Sequence, residues 1–220
     1  MTLTSRGSLI AFAATGAVLV VAAVVIAIFM SNDTSAALVR EHGPVENLSV
    51  GLYLVGVIVF VGLFLSKGLR HYWYIPAVLL ALASREASAH RLLLGDQSSK
   101  QLFNMSADIS LAGRVLVVIL AVIVLLALFK LLARHFTQFW KKLAQFDHAA
   151  MAVFLALSFA GMSQFFDKFS AKAAEFGIIL TPDDKHILWV FEEVTEIGIG
   201  AFLIFAIIYA RPSRQATHKV

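Results

Sequence analysis

The run from Ser8 to Met30 places 23 consecutive residues in the chain without one ionisable side chain. A helix of roughly 20 apolar residues, rising ~1.5 Å per residue, crosses a hydrocarbon core of about 30 Å. The remaining chain repeats the theme, with further apolar stretches separated by short polar punctuation. Of the 220 residues, 60% are hydrophobic and 15% charged, and mean hydropathy is +0.83. That apolar content far exceeds an ordinary globular domain, so water is not the main solvent and little chain remains for a soluble domain.

The sequence predicts an all-α polytopic membrane bundle of about six spans in one domain over 1–210, read from runs of membrane-crossing length. The spans fall at about 8–30, 47–66, 72–94, 111–132, 148–169 and 187–210. A secretory signal is the competing reading of the first span, but its apolar core usually covers only about 7–15 residues. From 136 to 146, Phe136, Phe139, Trp140, Leu143 and Phe146 share one helical face while Gln138, Lys141, Lys142 and Gln145 share the other. That pattern predicts a short interfacial helix, or a soluble connector packed on the bundle. Residues 211–220 form a polar tail.

Orientation follows from the bases of the short connections, which concentrate on the cytoplasmic side. With the N-terminus inside, that side collects Arg6, Lys67, Arg70, Lys130, Arg134, Lys141, Lys142, Arg211, Arg214 and Lys219. The opposite side carries Arg40, Lys100, Arg114, Lys172 and Lys185, with Arg91 and Lys168 near its boundary. Both termini are therefore expected in the cytoplasm. The net charge of +4 reflects these helix-end bases rather than one basic stripe, so nucleic acid is not an expected partner. Cysteine is absent, which excludes disulfides, thiolate ligands and a cysteine nucleophile.

Against this background the ionisable residues within the spans stand out. Glu86 and His90 lie about 20 and 27 Å along the third span, while Glu192, Glu193 and Glu196 lie about 8 to 14 Å into the sixth from its opposite end. Glu46 opens the second span at the same level, and Asp167 and Lys168 close the fifth there. Glu41, His42 and His186 sit just above, where each reads as a solvated loop residue. His71, His135, His148 and His218 fall at the other end.

Unpaired charge in a bilayer costs several kcal/mol, roughly 2.5–3.5 on insertion scales, so these groups need protonation, a partner base such as Arg85, Arg91 or Lys168, or a bound cation. A self-satisfied network that orders the bundle is the simplest reading. The functional one is an outward-facing polar site. Glu46, Glu86, His90, Asp167, Glu192 and Glu196 form a candidate ligand set for a divalent ion such as zinc, manganese or iron. Glu86, Glu192, Glu193 and Glu196 are the candidate catalytic carboxyls, one of them serving as general base. Glu-x-x-x-His matches neither the di-iron nor the zinc-protease spacing. Ser88 and Ser163 read as ordinary helix-contact residues.

The sequence favours a metal-dependent membrane hydrolase or oxidoreductase acting on a membrane lipid or another lipophilic substrate. A cation or proton transporter is the main alternative, although the spans carry almost no ionisable stepping stones below the cluster. A non-enzymatic subunit with a membrane-protein partner is the third.

Two stretches carry a resemblance. Glu41-His-Gly-Pro-Val-Glu46 is similar to the acid, Gly, Pro, apolar, Glu pattern of an uncharacterised family of bacterial multi-spanning membrane proteins. Arg85-Glu-Ala-Ser-Ala-His-Arg-Leu-Leu-Leu-Gly95 resembles that family's Glu-Glu-Ile-Ser-Trp-Gly-Gln-Arg-Ile-Phe-Gly segment, matching at Glu86, Ser88 and Gly95 and departing at Arg85, Ala89, His90 and Arg91. The resemblance implies a multi-pass protein of the bacterial inner membrane and marks Glu46 and Glu86. It names no reaction.

Overall fold

The computed structural model describes residues 5–40, 42–64, 71–88 and 111–210. They form an all-α bundle, with no strand among the described residues. Helix α1, Ser5–Val24, continues through a π-helical stretch, Val25–Phe29, before Met30 turns extended. A short helix α2, Asn32–Val39, follows where only a polar connection is expected from the sequence. Its start is satisfied locally, because Ser31 Oγ accepts the Thr34 N–H at 3.4 Å. The turn into α3, Pro44–Phe64, depends on Gly43. A Cβ there would stand 2.5 Å from the Arg40 carbonyl oxygen and 2.6 Å from that of Leu38.

Helix α4, Tyr74–Glu86, is shorter than the predicted span to residue 94. The chain leaves the helix at Ala87, and Ser88 adopts φ 46°, a left-handed backbone that a right-handed helix does not run through. The expected pairing of Glu86 with His90 falls on residues 89–94, which lie outside the described residues. Helix α5, Leu111–Ala144, corrects another boundary. The predicted break between a span ending at 132 and an interfacial helix beginning at 136 is absent. No glycine or proline interrupts Leu132-Ala-Arg-His135, so nothing there ends the hydrogen-bond ladder. The amphipathic stretch is the last part of one 34-residue helix.

A tight turn reverses the chain into α6, His148–Glu175. Phe146 and Asp147 donate their N–H groups to the carbonyls of Leu143 and Lys142, both at 3.0 Å, and Asp147 then accepts the Ala150 N–H at 3.1 Å. Helix α6 runs past the expected end at 169 and closes at Gly177, whose φ of 77° lets Ile178 donate to the Ala173 carbonyl at 2.9 Å. Helix α7, Pro182–Tyr209, opens with a capping box. Thr181 Oγ1 accepts the Asp184 N–H at 3.2 Å and Asp184 accepts the Thr181 N–H at 3.0 Å. The Thr181 hydroxyl also donates to the Asp184 carboxylate at 2.7 Å, and with the backbone N–H it holds that carboxyl below the usual carboxylate range.

Helix α7 is the axis of the bundle, packed chiefly on α6 and α3, with α1 and α2 along other sides. Two glycines allow this close approach. A Cβ on Gly198 would come 2.1 Å from the Phe159 ring of α6, and one on Gly200 would come 2.8 Å from Leu52 Cβ of α3. The buried face of α3 carries Glu46, Ser49, Tyr53, Gly56, Phe60 and Phe64, at three- and four-residue spacing.

One end gathers Phe12 against Tyr209, His148 against Tyr209, Phe64 against Tyr72, and Tyr74 bonded to His135. The other end gathers α2, the C-terminal turn of α4 and the start of α7. There Asn32 Nδ2 donates to Asp183 at 3.1 Å, and the Ser35 hydroxyl and His186 Nε2 lie 2.6 Å apart.

Four stretches of the described residues are long and apolar enough to cross a membrane: Arg6–Phe29, Asn32–Phe64, Leu111–Ala144 and His148–Glu175. Helix α4 falls short by length, at 13 described residues, and α7 because Glu192, Glu193 and Glu196 interrupt it. The bundle turns its apolar side chains outward. Leu125 is 64% and Phe129 72% exposed on α5, and Ile58 70% on α3. Apolar surface on this scale fits lipid as the surrounding solvent, as in an integral membrane protein.

Candidate functional site

Three helices deliver the central polar group. Glu86 stands in the last turn of α4 and Glu196 midway along α7, 6% and 7% exposed, and Arg85 lies between their carboxyls. Arg85 donates from Nε to Glu86 Oε1 at 2.9 Å, and its terminal nitrogen lies 2.6 Å from both Glu86 Oε1 and Glu196 Oε1. Ser163, fully buried on α6, donates its hydroxyl to Glu196 Oε1 at 3.0 Å. The Arg85 side chain is half exposed while both carboxyls are buried.

Tyr53 of α3 completes the group. The side chain is buried, its hydroxyl has no hydrogen-bond partner among the described residues, and it lies within electrostatic reach of Glu86, Glu196 and Arg85. A buried hydroxyl without a partner is uncommon, because the lost water contacts cost about 1–3 kcal/mol. Beyond Tyr53, Phe60 stacks on Phe64 with ring centroids 4.7 Å apart, and Leu79, Ala83, Ile199 and Ile207 close an apolar cluster around them. This cluster separates the carboxyls from the far end of the bundle.

The other expected site residues take different places. Glu192, half-buried one turn before Glu196, faces Asp167 and Lys168 electrostatically, and these two form an ion pair at the rim. Glu193 accepts a hydrogen bond from Trp189 Nε1 at 3.3 Å. Glu46 is buried, yet its carboxylate accepts the His42 N–H and so serves the start of α3. His186, read from sequence as a solvated loop residue, bonds Ser35. His90 and Glu41 lie outside the described residues.

The expected zinc, manganese or iron site is not formed among the described residues, where no three His, Asp or Glu side chains come together in a set able to hold a metal ion. The physical reason is visible at Glu86 and Glu196, whose facing oxygens are engaged by Arg85. Glu46 and Asp167 are held by local partners of their own. A shallow groove of about 400 Å³ between α1, α3 and α7 is lined by apolar side chains and Thr15, with none of these carboxyls.

The sequence offers Arg85 as a base for a neighbouring acid, but marks Ser163 only as a helix-contact residue and Tyr53 not at all by residue type. A signal for Tyr53 lay in its spacing. It stands seven residues after Glu46, with Ser49 between them, which puts all three on one face of α3. Ser163 carried no such sign, since its partner is on another helix. No protein-family profile matches the chain, and neither a curated protein nor a solved structure gives a match.

Proposed function

We propose that this integral membrane protein binds a small cation, foremost a proton, at the Glu86–Arg85–Glu196 centre as the loading step of a transporter. The observation that carries the reading is two buried carboxyls from separate helices sharing one guanidinium, beside a buried tyrosine hydroxyl with no partner among the described residues. With both carboxyls ionised, the three groups hold one more negative than positive charge, and one proton completes the balance. Intramembrane acids with a base partner are the usual mark of ion pathways.

The half-exposed Arg85 gives the centre access from one end, and the Phe60–Phe64 cluster closes it toward the other. One-sided closure is what a carrier needs between exchanges. A hydrolase is less well supported, because the guanidinium engages both carboxyls that would act as general base or ligand. The test is proton uptake into proteoliposomes carrying an entrapped pH indicator, under an imposed pH gradient. Wild-type protein is expected to move protons, and Glu196→Gln and Glu86→Gln to lose most of that flux while remaining folded. Undiminished flux in Glu196→Gln, or none in the wild type, would overturn the reading.

A further inference from the structure

At the opposite end of the bundle, away from the carboxyls, the described bases have no acids to meet. Lys130, Arg134, Lys141 and Lys142 lie on the last turns of α5, and none forms an ion pair with a carboxylate among the described residues. Asp147, the acid nearest in sequence, is committed to capping α6. The residues between 64 and 71 add Lys67 and Arg70 to the sequence and no acid.

The bases are arranged with aromatic rings. Lys130 Nζ lies 5.5 Å from the Trp73 ring centroid and 5.9 Å from that of Tyr74. The Arg134 guanidinium lies 5.1 Å from the Tyr72 centroid and donates to the His71 carbonyl at 3.4 Å. Such rings hold the cationic heads in place without neutralising them.

Depth points to the same partner. Between Arg114 and Lys130 the helix carries no charge and spans about 24 Å at ~1.5 Å per residue, close to a hydrocarbon core of about 30 Å once long stems snorkel. Lys130 and Arg134 therefore stand at headgroup level. Phe136 and Trp140, both more than half exposed, continue the interfacial belt beyond them.

We propose that the surface where the start of α4 meets the second half of α5 binds the phosphate headgroup of an anionic phospholipid, through Lys130 and Arg134 seated on Tyr72, Trp73 and Tyr74. Charge complementarity selects this occupant: the cluster is cationic, aromatic and at membrane-surface depth, and anionic lipid is the phosphate source that surface supplies. The inference is independent of the transport reading, since no group is shared.

The test uses the full-length protein in neutral detergent, titrated with phosphatidylglycerol, phosphatidylcholine or inorganic phosphate while its thermal midpoint is followed. Phosphatidylglycerol is expected to raise the midpoint and the other two to leave it unchanged. Lys130→Gln with Arg134→Gln is expected to weaken the titration roughly thirtyfold, the equivalent of about 2 kcal/mol, at about 1 kcal/mol for each basic side chain. Lys130→Arg with Arg134→Lys should retain the effect, as should Lys168→Gln with Lys172→Gln at the other end. Equal stabilisation by phosphatidylcholine, or an increment surviving the double glutamine change, would overturn the proposal. Full stabilisation by inorganic phosphate would reassign the site to a free anion and overturn its lipid form.

Discussion

Helices α7 and α5 invert the pattern of a water-soluble protein. Helix α7 carries Asp183, Asp184, Glu192, Glu193 and Glu196 yet buries ten of its residues, including Glu196, against its neighbours. Helix α5 is the most apolar of the spans, and only Ala127 along its 34 residues is buried. In water the hydrophobic effect would drive α5 inward and α7 outward. In lipid, apolar surface gains nothing by burial against protein, and charge gains a partner only inside the bundle. The comparison locates chemistry on the buried helix and membrane contact on the bare one.

The largest test of this contrast removes the cation from the buried centre. Arg85→Gln leaves Glu86 and Glu196 without their base, and the chain is expected to lose about 3 kcal/mol of stability. Restoring the balance with a second change, Glu196→Gln, should recover part of that loss, read by denaturation in detergent as a double-mutant cycle. Strictly additive losses would mean that the two side chains do not act together.

Packing around the axis gives a smaller effect. Gly198→Ala puts a Cβ into the Phe159 ring, and about 2 kcal/mol of destabilisation is expected from the overpacking. Stability unchanged in the same unfolding assay would show that α6 and α7 do not touch so closely. On α5 the expectation is reversed. Leu125→Ala, on an exposed face, should shift stability by no more than about 0.5 kcal/mol, against about 2–5 kcal/mol for a leucine truncated in a core. A core-sized loss there would mean that a partner covers α5.

Much of the bundle was readable because lipid imposes a simple demand, a long run without charge. Ser8–Met30 and the apolar part of α5 follow from that demand alone. Helix ends were less legible. The stop after Glu86 is made by backbone geometry at Ser88, which no residue type there announces. The continuity of α5 through His135 was obscured because the sequence becomes amphipathic there without becoming non-helical.

The candidate site divides in the same way. Glu86, Glu192, Glu193 and Glu196 announced themselves, since acids in apolar helices are rare and each needs compensation. Which of them meet was a different question. Glu86 and Glu196 converge, Glu192 faces Asp167 and Lys168, and Glu193 turns to Trp189. Residue type and spacing thus determined that this chain is a helical membrane bundle with acids at one end and bases at the other, because hydropathy and charge act locally along the chain. Only the tertiary structure decided that Arg85 joins two of those acids, with Ser163 and Tyr53 beside them. That choice depends on how four helices rotate and pack about α7, through contacts such as those of Gly198 and Gly200 that no single helix contains.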